Sequence, residues 1–176
     1  MKSHHIKQVE KETLSEILYE LDLSIKETLT KGALVPKYYK ALEENLTFSN
    51  FFSDRMLIVI AIKEGVTYHM FSLIQKLSPF TNTEWSDLIN LSTKSINRYR
   101  ISDKRFKSLQ SEKIIELAEV TKVGLDVFDS SEQFKLWLET PNFALGKQKP
   151  KDLLYDSYGK ELVIGELTRI DQGIFA

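Results

Sequence analysis

Thr81 to Arg100 reads TNTEWSDLINLSTKSINRYR, and its punctuation decides the fold. Thr81 and Glu84 stand at the spacing of a capping box. The threonine hydroxyl accepts from the N–H of residue 84, and the glutamate reaches back to the N–H of residue 81. Trp85, Leu88 and Ile89 then recur as the apolar face of a short helix. Ser92 is placed to cap a second one, running through TKSINRYR. Two short helices meet across a tight turn.

This pair resembles a helix-turn-helix. Ile96 and Tyr99 are expected to face the first helix through Leu88 and Ile89. Thr93, Lys94, Ser95, Asn97 and Arg98 are left outside, and Arg100 follows them. Arginine bonds guanine bidentately and asparagine does so with adenine, while serine, threonine and lysine hold phosphates. Between Thr93 and Lys113 seven basic side chains stand against two acidic ones, although the whole chain carries net charge −1. A basic patch on an acidic body is the electrostatic pattern of local anion binding. An ordinary helical hairpin with a polar, solvated outer face has the same pattern, and both readings stay open on these residues alone.

Outward from this centre the chain reads as mainly α. Toward the N-terminus, Leu14, Ile17, Leu18, Leu21, Ile25 and Leu29 recur at three- and four-residue steps, which predicts an amphipathic helix from about Ile6 to Thr30. Gly32 and Pro36 are expected to end it, and KYYKALEENL, with Tyr38 and Tyr39, to form a second helix. MLIVIAI (Met56 to Ile62) has the length and β-branching of a buried strand, yet periodicity does not exclude a buried helix. Gly65 ends it. YHMFSLIQKL is a helix with Phe71, Ile74 and Leu77 inward, closed by Pro79.

Toward the C-terminus, Ile114, Leu117, Ala118, Thr121, Leu125 and Phe128 line one face of a longer helix. SSEQFKLWL is a short helix with Phe134, Trp137 and Leu138 inward. Pro150 suits the first position of the next helix, where its missing N–H has no role, and Gly159 is expected to end that helix. A last helix from about Lys160 to Gln172 buries Leu162, Val163, Leu167 and Ile170. Gly165 lies within it, and Gly173 closes it before the apolar tail IFA.

Composition narrows the function. Of 176 residues, 42% are hydrophobic and 28% charged, ordinary proportions for a soluble globular protein. With no cysteine, thiolate chemistry and Cys-based zinc are excluded. The first residues lack the apolar core of a signal peptide, and MLIVIAI is far too short to span a bilayer. A cytoplasmic protein with no membrane partner is expected. The sequons at Asn45 and Asn90 are then chance matches. His4, His5 and His69 form no metal or catalytic constellation, and no phosphate-binding glycine loop is present. No catalytic residue, metal or cofactor is expected, and the chain is read as a non-enzyme.

One further stretch carries a family resemblance: FKLWLETPNFALGKQKPKDLLYDSYGKELVIGELTRIDQGIFA. Its order of motifs comprises Trp137, Leu138, Pro141, Asn142, Ala144, Leu145 and Gly146, then Pro150, Asp152, Leu153 and Leu154. Gly159, Arg169, Ile170 and Gly173 complete it. This resembles the toxin-binding domain of Xre/MbcA/ParS-type antitoxins, and the resemblance extends over about Met56 to Ala176. Lys147 departs from the Gly or Asn usual after Gly146. The resemblance implies the antitoxin of a two-gene module. Its C-terminal domain would bind and block a RES-domain, NAD⁺-depleting toxin encoded next to it, and its helix-turn-helix would recognise the module's own promoter DNA. It implies Asn142, Lys147, Arg169, Asp171, Ile174, Phe175 and Ala176 as toxin-binding candidates, beside Thr93, Lys94, Ser95, Asn97, Arg98 and Arg100 for DNA.

The expected organisation is an N-terminal helical region (1–50), an Xre-like helix-turn-helix region (51–128) and a C-terminal toxin-binding domain (129–176). The N-terminal helix is a candidate for homodimerisation, with packing on its own domain as the alternative. A stand-alone helix-turn-helix regulator without a toxin is the rival reading. The presence or absence of a neighbouring RES gene separates the two.

Overall fold

The computed structural model describes residues 2–30, 45–102, 104–128 and 130–174, with side chains from residue 13 onward. The elements expected at Gly32, Pro36 and KYYKALEENL, with Tyr38 and Tyr39, lie mostly outside the described residues. The described chain is mainly α. Its helices are α1 (Lys2–Thr30), α2 (Phe48–Phe51), α3 (Arg55–Glu64), α4 (Tyr68–Leu77), α5 (Asn82–Leu88), α6 (Thr93–Ser102), α7 (Ser108–Val127), α8 (Ser131–Glu139) and α9 (Ser157–Asp171), with a 3-10 turn at Pro150–Leu153. MLIVIAI is helical, in α3. Asp54 caps that helix through Met56 N–H at 2.9 Å, and Gly65 ends it at φ 86°. Its apolar residues suit either state; the cap and the glycine stop select the helix.

Two compact units form, one from Met1–Leu77 and Asn97–Ser111, the other from Ser78–Ile96 and Glu112–Ala176. In the first, α1 packs against α2, α3 and α4. Leu21, Ile25 and Leu29 are buried there with Phe51, Ile60, Phe71 and Ile74. Leu14, expected inward, is exposed. Asp22 closes a 2.5 Å bond to the Phe48 N–H, which satisfies an orphan donor at the start of α2. The segment after α6 is pinned at Gly65–Val66. Phe106 N–H donates to Val66 O at 2.8 Å, Val66 N–H to Ser111 Oγ at 3.0 Å, and Ser111 Oγ to Phe106 O at 3.1 Å. A Cβ at Gly65 would stand 2.5 Å from Phe106 O, so both the positive φ and the close approach require glycine.

In the second unit α7 is buried on several sides: Ile114, Ile115, Leu117, Ala118, Val120 and Thr121 all lie inside. Its charged residues Glu112, Lys113, Glu116, Glu119, Lys122 and Asp126 are exposed or half-buried, so α7 keeps a polar strip beside a broad buried face. Trp85 is fully buried, and its Nε1–H donates to Ser78 Oγ at 2.9 Å. The ring of Phe134 lies against Gly124, where a Cβ would be 2.2 Å from the ring carbon.

Three expectations change here. Gly159 does not end a helix; it sits in the first turn of α9, its N–H bonded to the cap residue Asp156 at 2.8 Å. A Cβ there would be 1.9 Å from Leu153 O, so the glycine serves a close backbone crossing. Leu162, expected inside, is 58% exposed, while Lys160 and Glu166 are buried in its stead. Trp137 is half-buried rather than a core residue, stacked at the edge of Phe134 with centroids 6.4 Å apart.

Candidate functional site

The α5–α6 corner is built as its sequence implies. Thr81 Oγ1 accepts from Glu84 N–H at 3.3 Å, and Glu84 Oε2 accepts from Thr81 N–H at 2.8 Å. Glu84 Oε1 also meets Lys151 Nζ at 3.1 Å. Burial pushes the Glu84 carboxyl up, but the bonds from Thr81 and the Lys151 ammonium outweigh it and hold the group below its ordinary value. The Lys151 ammonium is held above its ordinary value, chiefly by the bond to Glu84. Asn90, at φ 52°, closes α5. Its N–H bonds Asp87 O at 3.1 Å, and Leu91 N–H bonds Ser86 O at 3.0 Å, the Schellman pattern with asparagine in the left-handed position. Ser92 Oγ accepts from Ser95 N–H at 3.1 Å, so α6 starts at its expected cap.

No described residue of α6 is buried. Thr93, Lys94, Asn97, Arg98 and Arg100 are exposed, and Ser95 is half-buried with its hydroxyl 3.0 Å from Ser92 Oγ. The six candidate DNA-contacting residues thus lie on one helix and its first turn. Tyr99 is half-buried and stacks on Phe106 at 4.3 Å; Phe106 in turn meets Phe71 edge-on at 5.2 Å. Through that stack the C-terminal half of α6 is tied to the first unit's core. Helix α6 can therefore offer a polar, cationic surface while contributing almost nothing to the interior.

The C-terminal stretch Pro141–Leu154 is a compact turn. Asn142 Oδ1 accepts from Ala144 N–H at 2.8 Å, Asn142 N–H donates to Gln148 O at 3.0 Å, and Lys147 N–H returns to Asn142 O at 2.8 Å. Gly146 and Lys147 have φ 67° and 63°. Two successive positive values spanned by the Gln148 to Leu145 bond have the pattern of a type I′ turn, which asks for Gly or Asn at both positions. Lys147 meets that demand at the expense of strain, and its side chain is exposed. Leu145 and Leu154 turn inward, whereas Phe143 is 78% exposed.

Helix α9 is seated on α7 by a polar seam. Lys160 Nζ meets Glu119 Oε2 at 2.9 Å and Glu161 Oε1 at 2.7 Å. Burial depresses the Lys160 ammonium, but these two carboxylates more than reverse that and hold it above its ordinary value. Ser157 Oγ donates to Glu116 Oε1 at 2.6 Å, and Lys113 Nζ donates to Leu154 O at 3.3 Å. Arg169 pairs with the buried Glu166 at 3.2 Å. Gly173, at φ 72°, closes α9 by the same Schellman pattern as Asn90: Gly173 N–H to Ile170 O and Ile174 N–H to Arg169 O, each 2.9 Å. Asp171 and Ile174 are exposed beside it. Phe175 and Ala176 lie outside the described residues. Sequence periodicity did not single out several exposed apolar side chains of this unit, among them Leu136, Phe143, Tyr155, Tyr158 and Leu162. Only their exposure in the folded chain reveals them.

Among the described residues no group of His, Asp or Glu is arranged to hold a metal ion, and no helix is long and apolar enough to cross a membrane.

With this geometry in hand, residues 124–173 match the family described as the antitoxin Xre/MbcA/ParS C-terminal toxin-binding domain. The chain is 26% identical over 121 residues to antitoxin Xre of Yersinia enterocolitica (serotype O:8 / biotype 1B), spanning 68% of this chain and 82% of that one. It is 32% identical over 99 residues to the Prs ADP-ribosylating antitoxin of a Sphingobium species, spanning 51% of this chain and 62% of that one. The crystal structure of the M. tuberculosis MbcT–MbcA toxin–antitoxin complex includes a similar chain. It has a TM-score of 0.52 and 25% identity, covering 62% of this chain and 96% of that one.

Proposed function

We propose, from the premise that this chain is a toxin–antitoxin antitoxin of the Xre/MbcA family, that it acts in the cytoplasm against a RES-domain, NAD⁺-depleting toxin encoded beside it. It blocks that toxin by occupancy rather than by chemistry of its own, and it represses its own promoter through α5 and α6. The match of residues 124–173 to a toxin-binding domain carries the reading. The buried and half-buried charges of the second unit agree with it, because Lys160, Glu119, Lys151 and Glu84 are engaged in seating helices.

On this reading Asn142 and Lys147 shape and present the turn. Arg169, Asp171, Ile174, Phe175 and Ala176 approach the toxin's cofactor cleft. Thr93, Lys94, Ser95, Asn97, Arg98 and Arg100 contact promoter DNA, with Ser92 and Asn90 setting the entry of α6. A helix-turn-helix reading a two-fold operator works as a dimer. Helix α1, which exposes Tyr19 and Leu23, is the proposed element for pairing two copies.

NAD⁺ turnover by the purified neighbouring toxin, titrated with the full chain and with a chain lacking residues 174–176, tests the block. Inhibition is expected to weaken about tenfold on truncation, at matched helicity, equivalent to about 1.4 kcal/mol. Superimposable curves would place the block elsewhere in the domain. A full chain without any effect on the toxin would leave the stand-alone regulator as the reading.

A further inference from the structure

Helix α9 has two unlike sides. Gly159, Lys160, Val163, Glu166 and Leu167 are buried. Tyr158, Leu162, Gly165 and Arg169 recur at steps of four, three and four residues and so lie along one line on the opposite side. Tyr158 is 89% exposed and Leu162 58% exposed. Gly165 is exposed, lies well inside the helix and has no positive φ. A Cβ built on it would have nothing within 4 Å. Neither backbone conformation nor a neighbour among the described residues requires a glycine there. Alanine at the same place would favour the helix by about 1 kcal/mol. Gly124 and Gly159 are different, because at both a Cβ would collide with Phe134 or Leu153.

We propose that the outward line of α9, Tyr158–Leu162–Gly165–Arg169, is the seat on which the toxin's main chain rests. Gly165 is bare so that the partner's backbone approaches the helix axis. The proposal rests on the reading of the chain as an antitoxin and adds a contact surface to it. Continuity selects the occupant. Arg169 belongs both to this line and to the group assigned above to the toxin, and Asp171 and Ile174 follow on the same helix end. All but Ile174 fall within the stretch 124–173 that matches the toxin-binding domain. One partner therefore covers both. Tyr158 and Leu162 supply the apolar anchors, two turns and one turn before the glycine, and large side chains of this kind carry most of the energy in protein interfaces.

The decisive feature is an opposition of sign. Gly165→Ala should raise the melting temperature of the free chain by about 2–4 °C, yet weaken binding to the purified RES-domain protein of the neighbouring reading frame by about tenfold in calorimetry. Gly165→Leu should weaken it by about a hundredfold, and Leu162→Ala by about tenfold, with promoter affinity unchanged in all three. Wild-type affinity in Gly165→Ala and Gly165→Leu would overturn the seat while leaving the antitoxin reading intact. Failure of the wild-type chain to bind that protein would overturn the antitoxin reading, and this proposal with it. A change in the size of the free chain on Gly165→Leu would give the line to a second copy of the chain and overturn the toxin as its occupant.

Discussion

Helices α6 and α9, the proposed DNA and toxin surfaces, are held in opposite ways. Helix α9 buries a face, with Val163 and Leu167 at 0% exposure and Lys160 closed by two carboxylates. Helix α6 has no buried residue and is fixed near its ends, by the Ser92 cap and by the Tyr99–Phe106 stack. A helix seated on its own inner face can leave apolar groups outside and remain folded, which suits a protein partner. A helix with no buried residue contributes little burial, so a broad exposed face is available for charge, which suits a polyanion. Substitutions on the inner side of α9 should therefore act through stability, and substitutions at the exposed residues of α6 chiefly through binding.

The hardest test of the contrast is Gly159→Ala. Its Cβ would meet the Leu153 carbonyl, a backbone atom that cannot swing aside. A loss of about 3 kcal/mol in unfolding free energy is expected by chemical denaturation, at the upper end of ordinary overpacking. A midpoint unchanged from wild type would mean that the crossing of α9 over the 3-10 turn is loose. Arg98→Ala is the counterpart on α6. Promoter affinity should fall by about 1–3 kcal/mol, the worth of one arginine–base contact, with melting temperature and toxin inhibition unaltered. A gel-shift titration reads the first, and a melt in the same buffer checks the second. A mutant that melts early would show that α6 contributes to the core after all.

A smaller effect of opposite sign is expected at Lys147. Relieving its positive φ with Lys147→Gly removes a left-handed strain of about 1–2 kcal/mol, partly offset by the greater entropy of unfolded glycine. The variant should melt slightly higher than wild type. If it also inhibits the toxin less, the lysine is retained for its charge. The smallest effect is at Glu84. Its folded carboxyl titrates below the unfolded value of 4.5, so it stabilises the fold above that pH. The contribution is lost as the pH falls through the lower folded value. Glu84→Gln should flatten the acid limb of the stability curve between those two values and leave neutral-pH promoter binding nearly unchanged. An identical acid limb in the two proteins would show that the cap and the Lys151 pair add nothing measurable.

Much of this was legible in the sequence because it is local. The capping box at Thr81, the Ser92 cap, Pro150 at the first position of the 3-10 turn and Gly173 at the end of α9 all stand as expected, since each satisfies backbone groups within a few residues. The exposed face of α6 follows from the same short-range periodicity. MLIVIAI stayed ambiguous because its apolar residues suit either state, and its flanking cap and stop were needed to settle it. What only the tertiary structure decided is non-local. Leu162 lies outside and Lys160 inside because Glu119, some forty residues earlier on α7, offers the lysine a buried partner that no pattern along α9 can announce. Gly159 and Gly165 look alike in the sequence. One meets the carbonyl of Leu153 and the other meets no described neighbour, and that difference exists only once the chain has folded back on itself.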